Sequence, residues 1–79
     1  MCNKLVIKFR EPEDYDKYLN AIKDIKSDIN LKIGVISVDG KSALGIRNLG
    51  LNKNITALLV SLNADEIEKF NELMKDFLA

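Results

Sequence analysis

The chain has 79 residues, twelve basic and twelve acidic side chains and no histidine, so it has room for one domain and no net charge to draw it toward nucleic acid or acidic lipid. With 47% hydrophobic residues, four glycines and a single proline, it reads as folded rather than disordered. Without imidazole it lacks the usual general base near neutral pH, the commonest metal ligand and a frequent phosphoryl acceptor.

In chain order, Met1-Cys2-Asn3-Lys4 leads straight into a strand pattern, which leaves no space for a leader segment. Cys2 is the lone cysteine, has no basic neighbour nearer than Lys4, and reads as an inert thiol in a reducing cytoplasm. Leu5, Ile7 and Phe9 alternate with Lys4, Val6, Lys8 and Arg10, the period of a half-buried strand. Pro12 suits the first turn of a helix, where a missing N–H costs nothing. Tyr15, Tyr18, Leu19, Ile22 and Ile25 then recur at helical spacing, with Asp16, Lys17, Lys23 and Asp24 opposite, predicting an amphipathic helix that ends near Ser27.

Ile29, Leu31 and Ile33 alternate with polar residues and predict a second strand, joined through a tight turn at Gly34-Val35 to a short third strand containing Ile36 and Val38. Ser42 is a natural N-cap for a short helix through Ala43, Leu44, Ile46, Arg47 and Leu49, stopped by Gly50. A fourth strand is predicted from Thr56 to Leu62. Asn63 with Glu66 then opens a last helix in the manner of a capping box, and Ile67, Phe70, Met74 and Phe77 form its buried stripe. The longest apolar run, Ala57 to Val60, is four residues, so no membrane span is expected. The order βαββαβα without strict alternation predicts an α+β fold: a four-stranded, largely antiparallel sheet with helices on one face.

The stretch Lys41-Ser42-Ala43-Leu44-Gly45-Ile46-Arg47-Asn48-Leu49-Gly50 resembles the regulatory-serine helix of HPr, the small phosphocarrier family of the sugar phosphotransferase system. The resemblance continues through Leu51-Asn52-Lys53-Asn54 into Asn63-Ala64-Asp65-Glu66, and upstream through Asp28-Ile29-Asn30-Leu31-Lys32. It implies an open-faced β-sandwich of HPr type over 1–79. It also implies that Ser42 is a candidate for regulatory phosphorylation, with Lys41, Ala43, Leu44 and Arg47 forming the surface that meets a kinase, a regulator or a phosphotransferase-system protein. The family's phosphoryl group rides on a histidine within His-x-Arg-Pro, between the first strand and first helix. Here that region is Arg10-Glu11-Pro12-Glu13-Asp14-Tyr15-Asp16, with no histidine and four carboxylates. Carrier activity is therefore not expected to transfer.

No other constellation points to an enzyme. The acidic run Glu11, Glu13, Asp14 and Asp16 lacks the spacing of a calcium loop and suits the dipole of a first helical turn. Gly40-Lys41-Ser42 matches the tail of a P-loop, but Gly34 lies one residue too far upstream and the chain has no room for a nucleotide fold. No catalytic residue, metal or cofactor is expected. In the fourth strand, Ala57, Leu59 and Ser61 are expected to face the helices, leaving Leu58, Val60 and Leu62 outside with Val6. Those four are either scattered surface residues or a self-association patch that forms a homodimer. The expectation is a cytoplasmic, non-catalytic regulatory or binding module. The alternatives are a degenerate phosphotransferase-system component that still docks on its enzymes, and a small self-assembling structural domain.

Overall fold

The computed structural model describes residues 3–79, so Cys2 falls outside the described residues. The elements run β1 (Lys4–Ile7), α1 (Glu13–Ile22), β2 (Asp28–Ile33), β3 (Ile36–Asp39), α2 (Ala43–Arg47), β4 (Ile55–Val60) and α3 (Ala64–Met74), followed by a 3-10 turn at Lys75–Phe77. The four strands form one open antiparallel sheet in the order β1-β4-β2-β3. This is the predicted α+β, open-faced architecture. Its helices cover one face, and no helix is long and apolar enough to cross a membrane among the described residues.

Alternation along each strand decides which side chains are covered, because successive residues point to opposite faces. Ile7, Ile29, Leu31, Ile55, Ala57 and Leu59 are buried on the helix side, where they meet Tyr15, Tyr18 and Ile22 of α1, Ile46 beneath α2 and Phe70 and Met74 of α3. Phe9 lies at the centre of an aromatic group, with its ring centroid 5.2 Å from Tyr15, 5.3 Å from Tyr18 and 6.2 Å from Phe77. Tilted and edge-on rings at these separations gain about 0.5–1.5 kcal/mol per pair beyond burial. No buried residue among those described is charged.

Ile33 pairs with Ile36 across Gly34-Val35, so the predicted tight hairpin is present. At the other edge of the sheet the C-terminal residues close over β1. The Lys8 amide donates to the Phe77 carbonyl at 2.7 Å, the Ala79 amide donates to the Val6 carbonyl at 3.1 Å, and the Arg10 guanidinium donates to the Leu78 carbonyl at 2.9 Å.

Three expectations are corrected. α1 ends at Ile22, not near Ser27. Ile25 closes one further turn by donating to the Ile22 carbonyl, and the chain then leaves the helix because Glu66 of α3 takes the amides of Lys26 and Ser27 at 2.9 and 3.1 Å. Glu66 therefore does not complete a reciprocal capping box. Asn63 Oδ1 caps the Glu66 amide at 3.1 Å, while the Asn63 amide is taken by Ser61 Oγ at 3.0 Å. β4 stops at Val60, where its last partner is Asp28. Ser61 and Leu62 thus lie beyond the sheet, and Leu62 is 99% exposed.

Candidate functional site

The α2 surface is built by tethers rather than by helix propensity. Five residues cannot hold a helix alone, since nucleation is unfavourable and short isolated helices are marginal. Ser42, in an extended conformation at φ −93°, accepts the Gly45 amide on its Oγ at 3.2 Å and so acts as the predicted N-cap. Gly50, at φ 86°, supplies the left-handed stop. Ile46 and Leu49 bury beneath the helix. Gly45 lies against β3 so closely that a Cβ there would stand 3.3 Å from Val38 Cβ.

The charged residues around Ser42 are committed to the fold. Lys41 Nζ donates to the Ile25 carbonyl at 2.8 Å, which ties the start of α2 to the segment just after α1. The Lys41 amide is taken by Asp39 Oδ1 at 2.9 Å, and the Ser42 amide by the Asp39 carbonyl at 3.1 Å. Arg47 bonds Asp16 at 3.1 Å and lies over the Tyr15 ring, 5.3 Å from its centroid, so α2 is clasped to α1. Ala43 and Leu44 remain exposed, Leu44 at 74%. Sequence reading placed Lys41, Ser42, Ala43, Leu44 and Arg47 on one surface, and the structure brings them together there. It missed the partners Ile25, Asp16 and Tyr15, because pairings across 16 and 31 residues leave no trace in local spacing.

Beneath this surface lies a buried phenol. Tyr18 is fully buried, its hydroxyl has no hydrogen-bond partner, and it sits against Gly40, where a Cβ would come within 2.8 Å of the hydroxyl oxygen. Burial, with the negative charge of Asp39 adding to it, raises its pKa well above the ordinary tyrosine range.

At the head of α1, Asp14 Oδ2 accepts the amides of Arg10 and Glu11 at 2.8 and 3.3 Å. Both amides precede the N-cap Pro12, so the contact holds the loop that leads into α1 and not the helix's own first-turn N–H groups. Asp14 therefore ties down the turn into the helix from within the chain. Desolvation works to raise the Glu66 pKa, but the Ser27 and Lys26 amides, the Ser27 hydroxyl and the charge of Lys69 outweigh it, and the net shift is downward.

The outer sheet face has a different composition. Its pleat presents Lys4 and Val6 from β1, Thr56, Leu58 and Val60 from β4, Asp28, Asn30 and Lys32 from β2, and Ser37 and Asp39 from β3. Val6 is 47% and Val60 52% exposed. Among the described residues, the side chains of Lys4, Asp28, Asn30, Lys32, Ser37 and Thr56 enter no hydrogen bond or ion pair. Three of the four apolar residues singled out in the sequence thus share this face, while Leu62 does not. No protein-family model matches the chain, and no curated protein matches its sequence.

Proposed function

We propose that this chain is a non-catalytic regulatory module of HPr type that meets a protein partner through the α2 surface and is regulated at Ser42. The observation that carries this reading is a five-residue helix held by tethers to α1, to the segment after α1 and to β3 while Leu44 stays 74% exposed. A short surface helix pinned on three sides, with an apolar side chain standing clear, is a fixed shape that a partner can read. The resemblance around Ser42, together with an α+β sheet of the implied element order, supports the assignment. A phosphate on Ser42 would remain at the α2 N-terminus, where negative charge is favoured, so the modification adds a recognition charge without unfolding the helix.

Incubation with ATP and a kinase of HPr type is expected to add one phosphate, with an unchanged circular dichroism spectrum, and Ser42→Ala is expected to abolish the addition. An unmodified wild-type mass would remove Ser42 regulation by such a kinase. A second reading, self-assembly through the outer sheet face, is favoured by the exposed Val6 and Val60 on the side of the sheet that the helices leave open. Light scattering at micromolar and millimolar protein tests it, with a rising mass expected.

A further inference from the structure

The outer face has an apolar line in its middle and charges around it. β4 is an interior strand, so Leu58 projects from the central part of the face, with Val60 at the end of the same strand and Val6 diagonal to Leu58 on β1, opposite Thr56. Around them lie two cations, Lys4 and Lys32, and two anions, Asp28 and Asp39. An apolar centre with a polar rim is the ordinary anatomy of a protein interface. Equal numbers of both signs on one surface suit a copy of that same surface, because an isologous interface must be complementary to itself.

The register narrows the arrangement further. Asp28 and Lys32 lie on the same strand and face with Asn30 midway between them, and Asn30 is opposite Leu58. The two charges are about 13 Å apart along β2, too far to pair within one chain, and neither has a partner in the fold. We propose that two copies pack outer face to outer face about a twofold axis that crosses the strands through the Leu58–Asn30 row, so that Lys32 of each copy meets Asp28 of the other. Under that operation Leu58 meets its own counterpart on the axis and Val60 meets Thr56. Lys4 and Asp39 fall at the two ends of the same axis, opposite Leu58 on β1 and Asn30 on β3, so each faces its own like charge at a solvent-exposed edge. The strands of the two sheets run roughly aligned, as in sandwiches whose sheets lie about 10 Å apart. The face is small, about 19 by 20 Å from strand spacing and rise. Its size and the two edge repulsions make the dimer weak and concentration-dependent, and its charges lie toward the rim, where salt screens them.

This inference rests on the self-assembly reading, and one set of measurements separates the two. The dissociation constant is read by sedimentation or light scattering for wild type, Asp28→Lys, Lys32→Asp and the double reversal, with circular dichroism as the check on folding. Each single reversal sets like charges against each other and is expected to weaken the dimer by about tenfold or more. The double reversal restores complementarity and is expected to return it to near the wild-type value. Asp28→Asn and Lys32→Gln, which only neutralise, are expected to fall between and keep the test valid should a reversal fail to fold. Lys4→Gln removes one of the like-charge encounters on the axis and is expected to tighten the dimer. A wild type that stays monomeric at millimolar concentration overturns the inference and the self-assembly reading together. A dimer that is indifferent to the single changes, that the double reversal does not restore, or that Lys4→Gln loosens overturns the twofold arrangement and leaves self-assembly standing.

Discussion

The two sides of the sheet treat polar groups in opposite ways. On the helix side, charged and polar groups are used as fasteners: Lys41 on Ile25, Arg47 on Asp16 and Tyr15, Glu66 on Lys26 and Ser27, and Ser42 on Gly45. On the outer face Lys4, Asp28 and Lys32 fasten nothing within the chain. A small domain has little core to spare, so its tethers gather where loops and short helices must be held against a sheet. Apart from Asp39, whose carboxylate takes the Lys41 amide, the outer face is held by its strand pairing, which leaves its other side chains available to another molecule. Substitutions on the two sides should therefore differ in kind. Those on the helix side change stability, and those on the outer face change association.

The largest effect tests the tight packing under α2. Gly40 lies where a Cβ would stand 2.7 Å from Ile29 Cγ2 and 2.8 Å from the Tyr18 hydroxyl oxygen, both on fully buried side chains. Gly40→Ala is expected to destabilise the fold by about 3 kcal/mol through overpacking. Ser37→Ala, on the outer face of the same hairpin, is expected to stay within about 0.5 kcal/mol of wild type. Urea denaturation followed by circular dichroism measures both. Equal losses would erase the contrast between the two sides.

A smaller effect, of opposite sign, is expected at Tyr18. A buried hydroxyl without a partner forfeits its hydration and gains nothing in exchange. Tyr18→Phe keeps the ring that packs edge-on against Phe9 and Phe77 and removes only the unsatisfied oxygen. The variant is expected to gain about 1 kcal/mol, seen as a higher urea midpoint with an unchanged slope. A lower midpoint would show that the hydroxyl is hydrogen-bonded in solution, and the helix side would then hold one more fastener.

Periodicity made the strands, the core stripe of α3 and the facing of β4 legible in the sequence, because burial on one face writes itself into every second or every third to fourth residue. Ser42 and Gly50 were legible for a similar reason: a cap and a left-handed stop act within one turn. The end of α1 was not. Lys23 to Ser27 contains nothing that forbids a helix, and what ends it is the carboxylate of Glu66, 40 residues away in sequence from Lys26. The same limit applies to the candidate site. The sequence placed Ser42 and its neighbours on one surface, but it could not show that the Lys41 and Arg47 charges are spent on holding that surface in place. Leu62 was misplaced because strand propensity continues past Val60, whereas β4 loses its partner on β2 there: Asp28 is the first residue of that strand.

The finest test of the contrast is Glu66, because it isolates one fastener by its charge. Its folded-state pKa lies below the ordinary value, so the unfolded chain binds the proton more readily than the folded one. Its contribution is therefore complete above the ordinary glutamate pKa of about 4.3 and is lost as pH falls through the lowered folded value. Glu66→Gln keeps an acceptor oxygen for the Ser27 and Lys26 amides but has nothing to titrate. Near neutral pH the variant is expected to be modestly less stable than wild type, since a charged acceptor is stronger than a neutral one. As pH drops below about 4 the two stabilities should converge, because a protonated carboxyl and a carboxamide at this position offer the same N–H groups a similar neutral acceptor. Thermal midpoints between neutral and acidic pH decide the matter. A gap between wild type and Glu66→Gln that persists unchanged into acid would mean that shape rather than charge makes Glu66 the clasp between α3 and the start of β2.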